Sequence, residues 1–408
     1  MSLPPVEAFS TSSGAGIYRL PIEVFPGFWG YAHLVLAGDT AALVDAGSGF
    51  GNSNDHLEAG LEAVRRDHDE RARWDRLTHI VISHGHIDHF GGLPYVRERT
   101  SAPIAVHELD LRVLTNYEQR LRIVAQRLRE FLSEAGVGGE EAESVMSLYL
   151  LNKNLFTSIP VEIALTSSES LLGPIGVLHV PGHCPGQIVL RVDDVLLTGD
   201  HVLPETSPHQ SPERLSLYTG LGHYLESLER VAAWAGDVRL ALGGHEGPIP
   251  DLRGRALAIQ RLHGERLGRI LGLCGEPRTV AEVAHDLFPG VAGYHTLLAL
   301  EEAGAHIEYL STRGYLLVEN LDELESGAAV AIRYRHHPGQ LPDRTFLGWP
   351  GAWAAKPAIG MGPDRAFPDR PAEPAAKGQD RQSARGERGA LGALGSPKER
   401  QDVFIRTV

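Results

Sequence analysis

The stretch Thr78-His79-Ile80-Val81-Ile82-Ser83-His84-Gly85-His86-Ile87-Asp88-His89-Phe90-Gly91-Gly92 decides how this chain is read. An apolar run leads straight into three histidines and an aspartate within six positions. On a helix, residues two apart point to opposite sides, so His84 and His86 could not share an ion there. At an extended strand end they lie on the same side. Asp88 and His89 follow a turn and can face a neighbouring ion. Imidazole with carboxylate suits zinc, iron or manganese better than calcium or magnesium. Gly91 and Gly92 let the chain pass close to the metals before the next helix begins. As packing or surface residues, so dense a cluster of ligand side chains has no ordinary use.

Around this centre, short apolar strands recur at 33–37, 41–44, 78–83, 104–106, 177–180, 188–192, 195–197 and 239–242. Helical patterns lie between them, as at 56–66 and 224–234, and strands mixed with helices predict a layered α/β architecture. Residues 107–158 read as two or three inserted helices broken by Gly136, Gly138 and Gly139. They serve either as extra packing surface or as a lid over the site. After Pro250 the pattern is helical. It predicts a helix over 253–273, a capping box at Thr279 and Glu282, a helix over 295–303 and a strand at 315–318. That order suggests a small winged-helix unit.

The tail differs in composition. Residues 331–408 hold 19 of the chain's 72 Gly and Pro, lack apolar periodicity and are expected to be disordered. Thirteen Lys/Arg against eight Asp/Glu make the tail basic, so residues 1–330 carry −19 of a total −14. Such a charge argues against a sequence-blind grip on nucleic acid. Cys184 and Cys274 are too few and too far apart for a disulfide framework, which fits a reducing cytoplasm. Residues 1–17 do not read as a signal peptide, and no apolar run approaches the ~20 residues of a membrane helix.

The central run resembles the His-x-His-x-Asp-His signature of the metallo-β-lactamase superfamily, and further motifs follow in that family's order. Leu43-Val44-Asp45-Ala46-Gly47 resembles its early aspartate motif, and Val180-Pro181-Gly182-His183 supplies a third histidine. Leu197-Thr198-Gly199-Asp200 matches the bridging carboxylate, and Leu242-Gly243-Gly244-His245 the last histidine. The resemblance covers roughly residues 15–250. It implies a four-layer αββα sandwich, with a winged-helix-like domain at 251–320 and the tail at 331–408.

By position, the resemblance implies that His84, His86 and His183 hold one metal and Asp88, His89 and His245 a second. Asp200 would bridge them and Asp45 would support the site from behind. His79, His201 and His223 are not needed, and Cys184 is read as structural, pointing away from the ion beside His183. Two divalent ions, zinc first and iron or manganese as alternatives, imply a bridging hydroxide as nucleophile, with Asp88 orienting it or returning a proton.

Flavodiiron oxygen reductases replace the second histidine by glutamate, so His86 argues against redox chemistry. The iron-dependent persulfide dioxygenases keep the run and remain an alternative. The Gly-His-Cys-Pro-Gly-Gln segment at 182–187 resembles glyoxalase II-like members. His263-Gly264-Glu265-Arg266 and the helices after it resemble the domain of β-lactamase-like protein 2, an endoribonuclease, and of thioesterases acting on carrier-bound acyl chains. The expected activity is hydrolysis of a small thioester, ester or lactone, with an RNA substrate as the alternative and a homodimer possible. Arg253, Arg255, Arg261, Arg266 and Arg269 give one basic helix that either tracks phosphates or faces solvent.

Overall fold

The computed structural model describes residues 3–153, 156–166, 173–326 and 330–339. Seven strands form the first sheet in chain order: β1 (Glu7–Ser10), β2 (Gly16–Phe25), β3 (Phe28–Ala37), β4 (Thr40–Val44), β5 (His79–Val81), β6 (Ile104–His107) and β7 (Ile163–Leu165). Neighbours are antiparallel as far as β4 and parallel from β4 to β7. The second sheet has the order β12-β11-β10-β9-β8. Its strands are β8 (Ile175–His179), β9 (Ile188–Val192), β10 (Val195–Gly199), β11 (Leu240–Gly243) and β12 (Pro248–Ile249), with β10 and β11 parallel.

Side chains alternate across each strand, so a strand apolar on both faces is buried on both. Ile17, Val35, Val44, Val81 and Ala105 turn toward Ile175, Ile188, Leu190, Val195 and Leu197 of the other sheet. Their neighbours Leu20, Leu34, Leu43, Ile80 and Ile104 turn the opposite way, into a core shared with the helices. Helix α1 (Ser53–Asp67) covers the first sheet through Leu57, Leu61 and Val64. Short helices α2 (Ile87–Phe90) and α3 (Leu93–Arg97) follow the histidine run. The layers are those of the αββα sandwich.

Residues 107–158 contain α4 (Leu111–Thr115), α5 (Tyr117–Glu134) and α6 (Gly139–Lys153). Helix α7 (Leu221–Trp234) lies on the second sheet. After it come α8 (Leu252–Leu273), α9 (Val280–Leu287), α10 (Tyr294–Thr312) and α11 (Leu321–Glu325). The Asp251 side chain caps α8 at Gly254 N, and the expected capping box of Thr279 and Glu282 forms at α9. Helix α10 runs well beyond 303 because Ala303, Ile307 and Leu310 continue its buried stripe.

The terminal region is tied to the rest of the chain. The terminal helices share one continuous apolar core with the insertion and the sandwich. The Ala281 N–H donates to the Ala135 carbonyl and the Ile332 N–H to that of Glu134, joining the terminal unit to α5. The expected disordered tail also begins with ordered chain. Strand β14 (Tyr334–His336) pairs antiparallel with β13 (Leu316–Val318), and Tyr334 exchanges both backbone hydrogen bonds with Arg278. Composition missed this because the strand is held by partners 18 and 56 positions away in sequence. Residues 340–408 lie outside the described residues. No described helix is long and apolar enough to cross a membrane.

Every candidate site residue precedes Gly339, so a chain ending there is expected to keep its metal content and turnover. A chain ending at Asn320 loses β14. Its melting temperature should fall by roughly 5 °C, the effect of ~2 kcal/mol in a domain of this size. Equal melting points for the two truncations would show that the ribbon contributes nothing.

Candidate metal centre

The parallel strands β4, β5 and β6 end on one edge, and β10 and β11 end opposite them. Crevices at such carboxyl ends are where open α/β sheets place their sites. Asp45 follows β4, His84 follows β5, Asp200 follows β10 and His245 lies just beyond β11. His86 sits in extended backbone at φ −93 and ψ 146, immediately before α2, which carries Asp88 and His89. The extended geometry brings the His84 and His86 rings to 4.7 Å, and His183 joins them at 5.2 and 4.5 Å.

The candidates fall into two groups, each with its ligand-type atoms within 4.8 Å of one another: His84, His86, His183 and Cys184, and Asp88, His89, Asp200 and His245. Asp200 Oδ2 lies 3.4 Å from both His89 Nε2 and His245 Nε2 and 4.0 Å from His84 Nε2, so it stands between the groups. Asp88 Oδ2 is 3.2 Å from His245 Nε2. Cys184 was expected to point away, yet its thiol reaches the histidine trio. Consecutive side chains on a loop need not alternate as they do on a strand, and Gly182, at φ 135, turns this one.

Four imidazoles are held by their Nδ1 atoms. His89 donates to Asp45 Oδ2 at 2.9 Å, and His84 to Ser83 Oγ at 3.0 Å. His183 donates to the His209 carbonyl and His245 to that of Trp29, both at 2.8 Å. All four therefore present Nε2 to the centre. The Nε2 atoms of His84 and His183 and the Oδ1 of Asp200 are buried without a hydrogen-bond partner. Buried polar atoms rarely stay unsatisfied, and ligand histidines are typically oriented in this way. This donor set fits divalent cations.

Gly244 belongs to this packing, because a Cβ there would come within 2.5 Å of Asp200 Oδ1 and 2.6 Å of His89 Cε1. Gly91 and Gly92 have a different use from the one expected. They pack against the Ser48 and Ala46 carbonyls, locking the loop after β4, rather than against the centre.

Burial keeps His84 well below its ordinary pKa, helped by His89 and His86, so it is neutral and ready to coordinate. Burial also opposes charge on His245, but the carboxylates of Asp200 and Asp88 outweigh it and raise its pKa to about 10. His89 is raised in the same way by Asp200, Asp45 and Asp88. Cations entering the acidic half must displace these protons, so metal affinity falls as the pH is lowered.

The centre floors a cavity of about 570 Å³. Its walls come from Phe25, Phe28 and Trp29 of the β2–β3 hairpin, Val124 and Leu128 of α5, Tyr149 of α6, and Tyr294 and Leu298 of α10. Phe28 stacks on His245 with ring centroids 4.7 Å apart. Spacing within the sequence gave no signal for these wall residues, nor for His209.

A second buried cluster, His263, Glu302 and His306, has ligand-like geometry. However, Arg266 Nη1 already donates to Glu302 Oε1 at 2.7 Å. His263 Nδ1 lies 3.0 Å from His306 Nε2, and its Nε2 lies 3.2 Å from Ser207 Oγ. This network fixes the loop that carries His209, whose ring bonds Glu301 at 2.9 Å. His79, His201 and His223 join none of the metal-type clusters among the described residues, and His223 pairs with Glu213 instead.

The profile of the Metallo-beta-lactamase superfamily matches residues 28–245, more than half of the chain. The chain belongs to the metallo-β-lactamase superfamily. Among curated relatives, the "Probable metallo-hydrolase YqjP" of Bacillus subtilis is 24% identical over 290 residues, spanning 68% of this chain and 86% of that protein. The hydroxyacylglutathione hydrolase of Anaeromyxobacter dehalogenans is 29% identical over 170 residues, 42% of this chain and 45% of that enzyme. Among solved structures, a metallo-β-lactamase family protein of Thermus thermophilus aligns with a TM-score of 0.63 and 26% identity. The alignment covers 79% of this chain and 98% of that one. The chain is thus a member of a metallo-hydrolase superfamily that typically binds divalent metals, with a His/Asp site able to hold them.

Two tests follow from this geometry. Replacing Asp45 by Asn turns an amide toward His89 Nδ1, and metal affinity is expected to drop about 10- to 100-fold. Chelator competition measures it, and unchanged affinity would remove Asp45 from the site. His209 is buried, which disfavours its charge, but Glu301 and Glu302 raise its pKa to about 9 from an ordinary 6.5. Its charge therefore stabilises the fold fully below pH 6.5, and the contribution is lost as the pH rises through 9. The melting temperature should fall less steeply between pH 7 and 10 in His209→Gln than in the native chain; parallel slopes would refute this.

Proposed function

We propose that the protein is a binuclear hydrolase of small acyl thioesters, or of related esters and lactones, with zinc as the favoured metal. His84, His86 and His183 would hold one ion and Asp88, His89 and His245 the other, with Asp200 between the two groups available to both. Two such ions, when bound, supply an activated water and polarise the substrate carbonyl. Asp88, held ionised by His89 and His245 despite its burial, would orient that water, accept its proton on Oδ2 as the water attacks and pass it to the leaving group. Phe25, Phe28 and Trp29 exclude bulk water, while Val124 and Leu128 grip an apolar acyl chain.

The observation that carries this reading is the cavity itself: a floor of metal-type ligands under walls that are largely apolar and aromatic. The similarity to a hydroxyacylglutathione hydrolase points to the same bond class. A nuclease needs a basic track, and the arginines of α8 are mostly engaged within the protein. Arg266 pairs with buried Glu302, and Arg255 donates to the carbonyls of Leu203, Glu205 and Thr206. The buried cysteines Cys184 and Cys274 form no disulfide, which suits a reducing compartment, and we place the protein in the cytoplasm.

The test is elemental analysis of the purified protein, followed by assays on acyl thioesters, lactones and single-stranded RNA. Close to two zinc ions per chain and thioester turnover are expected. One iron with no second metal would point to persulfide oxygenation instead. Asp200→Ala should lose both ions and at least 100-fold in turnover while its circular dichroism is unchanged. Trimming the turn around Gly136, which joins α5 to α6, should weaken turnover of long-chain thioesters more than that of a small activated ester. An equal loss on both, with metal content intact, would reduce the insertion to scaffold.

A further inference from the structure

Arg120, Val124 and Leu128 are spaced four apart on α5, so they form one stripe of the helix, and all three line the cavity. Two of them are apolar. The third is a half-buried arginine whose guanidinium makes no hydrogen bond or ion pair with any described residue. Its charge is nevertheless felt inside the cavity. It opposes the burial-driven rise in pKa of the Asp110 carboxyl and of the Tyr149 hydroxyl, both of which line the same space.

Each anionic residue of the wall already makes polar contacts, although Asp110 Oδ1 and Asp200 Oδ1 are buried without a hydrogen-bond partner among the described residues. Glu301 is paired with His209 at 2.9 Å and accepts from Ser211 at 3.0 Å. Glu246 accepts from the backbone N–H groups of Glu205 and Thr206 at 2.7 and 3.1 Å. Asp110 Oδ2 accepts from the Gly85 N–H at 2.8 Å. Asp88 and Asp200 face His89 and His245. A cation left without a partner in a partly dry cavity is costly, and residues 1–330 are otherwise strongly acidic. The Asp110 carboxyl, on which the charge of Arg120 acts, accepts from the Gly85 N–H between His84 and His86, so that charge is felt on the histidine-trio side of the cavity.

We propose that the substrate bears an anionic group, carboxylate or phosphate, remote from its scissile acyl carbon, and that Arg120 receives it. This rests on the hydrolase reading and narrows its substrate class to anionic acyl thioesters or esters. The planar guanidinium fork matches either oxyanion in a bidentate manner, whereas the apolar stripe of Val124 and Leu128 accepts the chain between the charge and the carbonyl. Arg120 acts on binding and orientation, and the hydrolytic step remains with the metal floor.

The experiment compares the metal-loaded native protein with Arg120→Gln and Arg120→Lys. Three thioesters of matched length are used: one ending in a carboxylate, one carrying a phosphate on the thiol side, and one uncharged. The native protein should prefer one of the charged pair, which identifies the end that meets Arg120. In Arg120→Gln the ratio of kcat/KM for that substrate over the uncharged one should fall about 10- to 100-fold, mainly through KM. A charged hydrogen bond of ~1.5–3 kcal/mol gives this size of effect. The Lys variant should recover part of the loss. No preference for charge in the native protein, or an unchanged ratio in Arg120→Gln, would overturn the proposal.

If no thioester or ester is turned over, the hydrolase reading fails separately. Calorimetric titration of the same metal-loaded proteins with glutarate and with inorganic phosphate then decides the subsite. Binding at least tenfold weaker in Arg120→Gln upholds it, and equal binding by both proteins rejects it.

Discussion

The arrangement depends on one buried carboxylate. Asp45 accepts the Ser83 N–H on Oδ1, and on Oδ2 it accepts both the Ser83 hydroxyl and His89 Nδ1, each contact within 2.9 Å. Ser83 Oγ in turn accepts from His84 Nδ1. One side chain therefore orients a histidine from each half of the centre and ties the end of β4 to the end of β5. Its backbone is at φ 65, a conformation that side chains rarely adopt and that Asp tolerates better than most. Strain of that kind persists only where surrounding contacts over-determine it, and here three hydrogen bonds do so.

Around this clamp, the two halves of the centre differ in charge. In the histidine trio, His84 and His183 are buried and burial lowers the pKa of both, with half-buried His86 beside them, while the Asp88, His89, Asp200 and His245 group brings two carboxylates together with two histidines. Asp200 belongs to the second group in geometry but reaches toward the first, and its carboxylate is held well below its ordinary pKa against burial by His245 and His89. The sandwich thus supplies a rigid, charged floor from strand ends, where backbone hydrogen bonds restrict movement.

The walls come from elsewhere. Helices α5 and α6 of the insertion and α10 of the terminal unit close over the floor, and they contact each other as well as the sandwich. The polar network of Arg266, Glu302 and His209 joins α8 and α10 to the centre, because the His209 carbonyl orients His183. A change in the terminal helices can therefore reach a candidate metal ligand through hydrogen bonds alone. This gives those helices a part in the chemistry as well as in packing.

The local sequence determined the floor. His84, His86, Asp88 and His89 are so close along the chain that extended backbone followed by one helical turn leaves little choice of geometry. The apolar runs of β4, β5, β9 and β10 announce strands buried on both faces. The capping box at Thr279 and Glu282 was legible for the same reason, since its partners are three residues apart. Only the tertiary structure decided what long-range contacts create. Arg19 sits buried in β2, a strand absent from the expected set, and lies over the Tyr31 ring while bonding the Glu246 carbonyl 227 residues away. Strand β14 forms in a Gly- and Pro-rich segment because β13 and Arg278 offer it hydrogen bonds. Cys184 faces the trio because its loop turns, and Arg120 meets the cavity because α5 crosses it. Periodicity records which face of an element is apolar, whereas the face's partner is set by how the elements pack.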